Sequence, residues 1–194
     1  TVTGQRFASG VGIAECLAAL QPEWDAATAR TEKFNKDACT TGSMLRKGIG
    51  VASCWYGCGN TSLPNPSTIR MGVAADGACI LHQGAMDIGQ GSNTVISQIA
   101  ADALGVPVHS LSLIDGDTDL TPDCGKTSAS RQTFVSGKAA LLAGRALRDV
   151  ILRYGNVSDD ARIVIDGAEV RLVDNAIGGS ASIDLSSLPV NTHG

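Results

Sequence analysis

Aromatic side chains are scarce in this sequence, with three Phe, two Tyr and two Trp among 194 residues. Basic charge is scarce as well, and the formal net charge is −4. Together these argue against a nucleic-acid groove, which needs basic patches and stacking platforms. No apolar run approaches the roughly 18 residues of a membrane-spanning helix, and no signal-peptide pattern is visible. The cytoplasm is the default location. Clustered metal ligands are missing too. Of Cys16, Cys39, Cys54, Cys58, Cys79 and Cys124, only Cys54 and Cys58 stand close together, and no second pair or neighbouring His completes a zinc or iron–sulfur set. The expectation is small side chains buried in a reducing compartment.

What remains is an ordinary globular composition, 43% hydrophobic and 18% charged. It suits one domain, or one domain with an extra lobe. Residues 10–20 and 22–37 read as helices, with Pro22 starting the second. The polar, glycine-bearing joint at 40–48 divides a helical lead-in segment (1–47) from the main domain (48–174), and a small polar tail (175–194) follows. Residues 49–56 read as a glycine-broken strand and 60–66 as a loop. Ile69, Met71 and Val73 alternate before Asp76-Gly77, and Cys79 and Leu81 follow, which is a hairpin with a two-residue turn.

A helix is expected from Ser92 to Leu104, with Ile96, Ile99, Ala103 and Leu104 on one face and Gly105 ending it. A strand starts at Val106-Pro107, where Leu111 and Leu113 alternate with serines. A long loop over 115–130 follows, and loops of that length are often functional. A second helix runs from Gln132 to Tyr154, with Leu147, Val150, Ile151 and Tyr154 sharing a face. A second hairpin turns at Asp166-Gly167. The class is α+β, a mixed β-sheet with β-hairpins covered by helices.

The most informative stretch is residues 84–94, GAMDIGQGSNT. Its glycines allow a ligand close to the backbone. The helix behind it offers N–H groups and a positive dipole end. Gln90 adds an amide that can read a polar heterocycle. Its glycine spacing is not a dinucleotide fingerprint, and it follows a hairpin rather than opening a βαβ unit.

Other motifs fail on spacing. Gly125-Lys126-Thr127 would need Gly at position 120 to be a phosphate-binding loop, and Leu120 is there. Asp115, Asp117, Asp119 and Asp123 would need Gly at 120 and Glu at 126 for a calcium loop, and Leu120 and Lys126 are there. These aspartates read as turn formers. His82 and His109 read as structural. No local context supports a nucleophilic triad. Gly137 and Gly144, two turns apart, read as sites of close helix packing.

Two segments carry a resemblance: 84–101, GAMDIGQGSNTVISQIAA, and 117–140, DTDLTPDCGKTSASRQTFVSGKAA. At this spacing they resemble the second molybdenum-cofactor-binding region of the xanthine oxidase and aldehyde oxidase family of molybdenum hydroxylases. Residues 46–50 resemble the lead into that region. The resemblance implies that Gln90 and Gly91 contact the pterin and its phosphate, with Ser92 and Thr94 beside them. Ser128, Ala129, Ser130 and Arg131 would pass close to the metal and substrate pocket, with Thr133 flanking. It further implies a molybdenum–pterin cofactor, the cytosine dinucleotide form included, that inserts water-derived oxygen into an aldehyde or N-heterocycle. Iron–sulfur clusters and FAD would sit on other domains or subunits.

The family's catalytic Glu motif and the glycine-rich segment of its first cofactor-binding region have no match here, so no catalytic residue is assigned. No side chain is assigned as a metal ligand. The chain reads as a part whose partners complete the site, inactive alone. The alternative is a non-catalytic assembly or binding module that keeps the fold without molybdenum chemistry.

Overall fold

A computed structural model of the chain describes residues 6–54, 56–59, 64–174 and 178–189. The chain divides into two compact units, residues 1–56 and 57–194.

The first unit is built on one long helix, α1 (Ile13–Thr40), which runs through Pro22 without a break. Two helices were expected here. Pro22 lacks only the N–H that would have bonded four residues back, and good helix formers on both sides propagate the helix across that single missing bond. Ala38 is the helix's one buried residue. Beyond the helix end, Asn35 accepts from the backbone N–H of Lys47 at 2.8 Å and donates to its carbonyl at 2.9 Å. The Lys47 ammonium rests 4.1 Å from the centre of the Phe34 ring. The strand expected at 49–56 does not form among the described residues of that stretch, and Ile49 and Val51 stay exposed.

The second unit holds two three-stranded sheets. The first has the order β1-β2-β3, where β1 is Ile69–Val73, β2 is Cys79–Gln83 and β3 is Leu111–Ile114. β1 and β2 form the expected hairpin, with Val73 opposite Cys79. Its turn is longer than expected. Ala74 and Ala78 still bond at 2.9 Å, which leaves Ala75, Asp76 and Gly77 as a three-residue loop with Gly77 at φ 89°.

β2 and β3 pair in parallel, Leu81 opposite Leu113, and α2 (Ser92–Leu104) is the crossover between them. A βαβ unit therefore does contain the Gly-Gln-Gly turn, contrary to the sequence expectation. The preceding hairpin hid it, because β2 is the second arm of one motif and the first strand of the next. A 3₁₀ turn at Val108–Ser110 delays β3 relative to the expected start at Val106.

α3 (Gln132–Tyr154) packs along α2. The approach is close. A Cβ on Gly144 would lie 2.7 Å from the Ala100 carbonyl oxygen, and one on Gly137 would lie 2.9 Å from Ile99 Cδ1. The buried stripe of α3 is Ser136, Gly137, Ala140, Gly144, Ile151 and Leu152. Val150 and Tyr154, expected on the buried face, are exposed.

The second sheet is antiparallel, β4-β5-β6: Arg162–Asp166, Glu169–Asp174 and Gly179–Asp184. The β4–β5 turn falls on Gly167-Ala168, one residue later than expected, since Asp166 pairs with Glu169. β6 lies in the segment that composition alone marked as a loose tail. Its Ile183 joins Val170, Leu172 and Ile163 in a core shared with Ile151, Leu152 and Leu104 of the helices. A second core of Leu81, Ala85, Ile96, Ala100, Cys124 and Ala140 underlies the candidate loops. The architecture is α+β.

Candidate functional site

Because β2 and β3 run in parallel, their carboxyl ends leave the sheet on the same side. The loops that follow, 84–91 and 115–131, therefore meet, at the edge where open α/β sheets place ligands. Thr127 Oγ1 donates to the Met86 carbonyl at 2.7 Å, and Asn93 donates to the Asp115 carboxylate. Gly84 N–H donates to Cys124 Sγ at 3.2 Å. A Cβ at Gly84 would sit 2.4 Å from the Pro122 carbonyl oxygen, so glycine is required where the two loops cross. The structure thus brings together the two segments that sequence singled out.

Within the first loop the organiser is Asp87, a residue that the motif reading passed over. Its Oδ1 accepts from the N–H groups of Gly89 (2.8 Å) and Gly91 (3.2 Å), and its Oδ2 accepts from Asn93 N–H at 3.1 Å. These bonds, those from Gly89 and Asn93 foremost, hold its carboxyl below the usual aspartate value. The signal was available in sequence, as an Asp two residues ahead of a glycine.

The N-terminal N–H groups of α2, expected to face a ligand anion, already serve this carboxylate in part. Gly91 caps the helix at φ 81° with no side-chain cap of its own. Gln90 is exposed, and its amide folds back on the loop. Oε1 accepts from Ile88 N–H at 2.6 Å, and Nε2 donates to the Met86 carbonyl (3.1 Å) and Ser92 Oγ (2.9 Å). Ser92 is buried, and Thr94, the third residue of α2, is exposed.

The second loop ends in a tight turn whose central residues, Ala129 and Ser130, have φ of 50° and 57°, closed by Arg131 N–H on the Ser128 carbonyl at 3.3 Å. That is the type I′ shape, which Asn-Gly fits and which costs L-residues roughly 1–2 kcal/mol each. Strained backbone of this kind gathers at ligand-binding positions.

The Arg131 guanidinium bonds backbone carbonyls of its own chain. The residue is 1% exposed. Nη1 donates to the carbonyls of Cys124 (2.6 Å) and Lys126 (3.0 Å), and Nη2 to those of Pro66 (2.9 Å) and Asn65 (3.4 Å). Its Nε has no hydrogen-bond partner. In the structure the guanidinium is internal scaffolding, and only its backbone borders the turn.

Behind the turn runs a buried polar chain. Ser67 Oγ donates to Ser136 Oγ at 2.9 Å, and Ser136 donates to Gln132 Oε1. Gln132 Nε2 then reaches Thr127 Oγ1 at 3.2 Å. Through Thr127 it ends on Met86, in the first loop. Neither Gln132 nor Thr127 was expected as a site residue, although both hold the loops together. Thr133 and Phe134 are exposed on the first turn of α3, which has no side-chain cap. Met86, Ile88 and Leu120 are also exposed.

The remaining expectations sort plainly. Two of the four loop aspartates form turns: Asp117 Oδ1 accepts from the N–H of Asp119 and Leu120 at 2.8 and 3.0 Å, and Asp123 Oδ1 from Gly125 N–H at 2.7 Å, while Asp115 accepts from the Asn93 side chain. His82 Nδ1 lies 3.1 Å from the Leu120 carbonyl oxygen. Among the described residues no cluster of three His, Cys, Asp or Glu could hold a metal, and no helix is long and apolar enough to cross a membrane. The cysteine expectation holds only for Cys79 and Cys124, since Cys16, Cys39, Cys54 and Cys58 are exposed. Burial pushes the Cys79 thiol up.

Comparison with known proteins identifies the family. The family model described as molybdopterin cofactor-binding domain matches residues 17–186. A xanthine dehydrogenase molybdenum-binding subunit from Escherichia coli O157:H7 is 34% identical over 162 residues, which is 80% of this chain and 20% of that protein. Mouse xanthine dehydrogenase/oxidase is 29% identical over 126 residues, 64% of this chain and 9% of that one. Among solved structures, reconstituted CO dehydrogenase from Oligotropha carboxidovorans aligns over 94% of this chain and 24% of that chain, at TM-score 0.48 and 19% identity. The chain thus spans a fifth or less of the length of these two sequence relatives. It belongs to the molybdopterin cofactor-binding domain family, as a cofactor-binding region of the xanthine oxidase type.

Proposed function

We propose that this chain supplies part of the cofactor cradle of a molybdenum hydroxylase acting on an aldehyde or N-heteroaromatic substrate. The supporting observation is the joining of loops 84–91 and 115–131 at the carboxyl ends of parallel β2 and β3. The residues at that junction fit a pterin. Gly89 and Gly91 stand open, with nothing within 4 Å of where a Cβ would be, so a planar ligand can approach the backbone. Exposed Gln90, Thr94, Ser130 and Thr133 offer neutral donors and acceptors, and the uncapped start of α3 offers backbone N–H groups.

In this reading Gln90 and Gly91 bind the pterin, Ser92 orders Gln90, and Ser128 to Ser130 shape the pocket wall. Arg131 acts by holding that wall. The bound cofactor supplies insertion of a water-derived oxygen into the substrate C–H bond. This chain's residues orient it and, with partners, exclude water. The catalytic base, the iron–sulfur clusters and FAD belong to remaining segments of the molybdenum subunit and to other domains or subunits, so the isolated chain is inactive. The cofactor is a molybdenum–pterin, the cytosine dinucleotide form included, and the assembly is cytoplasmic.

The test is molybdenum per polypeptide in the assembled protein, wild type against Gln90→Ala. A clear fall with the fold intact is expected, since a bound polar group would lose its partner. The inward bonds of Gln90 favour the second reading, a non-catalytic assembly module, and unchanged molybdenum in Gln90→Ala would establish it in place of the first.

A further inference from the structure

We infer that Asp87 is the positioning residue of the Gly-Gln-Gly loop: its carboxylate, more than any ligand, fixes the backbone on both sides of Gln90. The inference rests on reading residues 84–94 as a cofactor-binding segment.

A loop with two glycines is a poor holder by itself, because each glycine samples positive and negative φ about equally. Here Gly89 and Gly91 are both held at positive φ, 101° and 81°. One oxygen of Asp87 gathers the N–H groups of these two glycines, so Gln90 is spanned from either side. The other oxygen takes the N–H of Asn93, the second residue of α2, where the helix has no side-chain cap of its own. An upstream carboxylate thus does the work of an N-cap and complements the helix dipole as well.

The hold extends to the second loop. Asn93 Oδ1 accepts from buried Gln83 at 2.6 Å, and its amide nitrogen donates to Asp115, the residue that follows β3. With Asp87 missing, these three N–H groups lose their acceptor, and the register between the loops loses one of its ties; with Asp87 neutral, one of its two oxygens carries a proton and no longer serves as before. A further consequence concerns ligand charge. The slot that an anion would take at the start of α2 is filled by this carboxylate, so the first loop is left to read a neutral part of the ligand.

The experiment compares wild type, Asp87→Ala, Asp87→Asn and Gln90→Ala by two independent readouts. Amide hydrogen exchange is followed by NMR in the 194-residue chain, and molybdenum content is measured in the assembled protein. Asp87→Ala should speed exchange at Gly89, Gly91 and Asn93 by roughly tenfold, the loss of one ordinary hydrogen bond each. Leu104 at the far end of α2 should stay protected, and molybdenum content should fall. Asp87→Asn keeps one acceptor oxygen, so it should restore protection at the glycines but not at Asn93 and leave molybdenum content between the other two.

Unchanged exchange in Asp87→Ala overturns the inference. So does wild-type molybdenum content in Asp87→Ala when Gln90→Ala lowers it. Wild-type molybdenum content in both variants instead overturns the cofactor reading, and this inference with it.

Discussion

Replacing Arg131 with Lys separates a scaffold residue from a ligand-binding one. The guanidinium reaches four backbone carbonyls on two segments, 65–66 and 124–126, from a position 1% exposed. Hydrogen bonds from a charged donor contribute about 1.5–3 kcal/mol each. Burying the charge without a carboxylate offsets several kcal/mol of that sum. Lysine keeps the charge and hence the offset. Its single ammonium nitrogen cannot fork, so it serves one segment and abandons the other. Losing two of the four bonds while keeping the desolvation cost predicts a destabilisation of about 2–4 kcal/mol. For a chain of this length that is roughly 5–15 °C in Tm. The assay is urea and thermal unfolding of the chain in the absence of any cofactor, followed by circular dichroism. If Arg131→Lys unfolds with wild-type stability there yet lowers cofactor loading in the assembled protein, the guanidinium is a ligand contact and the scaffold argument is wrong.

Three further outcomes are expected. Gly144→Ala should destabilise by about 1–3 kcal/mol, because its Cβ would press on the Ala100 carbonyl and Ala103 Cβ. Gly137→Ala meets only the movable end of Ile99 and gains helix propensity, so it should fall within about 1 kcal/mol of wild type in the same unfolding assay. The folded-state pKa of Asp87 lies below its ordinary value, so the clamp is fully present above the unfolded pKa and is lost as pH falls through the folded one. NMR titration of the Gly89 and Asn93 amides should therefore show inflections below the usual aspartate range, with Asp115 the neighbouring carboxyl to monitor; an inflection at the ordinary value would count against the clamp. Alkylation at neutral pH followed by mass spectrometry should label Cys16, Cys39, Cys54 and Cys58 and spare Cys79 and Cys124; rapid labelling of Cys124 would mean the loop crossing at Gly84 is open.

Local chemistry alone determined a good deal of this protein. The bounds of α2 and α3 follow from their 3.6-residue periodicity and from glycines just past each end, and the structure has them at Ser92–Leu104 and Gln132–Tyr154. Both Asp-Gly hairpins and the small-residue packing at Gly137 and Gly144 were legible for the same reason. The family was legible from the motif spacing of loops 84–91 and 115–131.

What depends on contacts between distant residues was not. Whether Pro22 ends a helix depends on its neighbours' cooperativity, and whether residues 49–56 form a strand depends on a pairing partner. β6 was invisible because Ala181 and Ile183 gain strand character only from β5 beside them. The parallel pairing of β2 with β3 turned an apparent hairpin exit into a crossover and put the two loops side by side. The same packing set the Arg131 guanidinium on four carbonyls of its own chain, which no local pattern tells. Residue identity decided which groups could meet a cofactor, and only the tertiary structure decided which of them are already spent on one another.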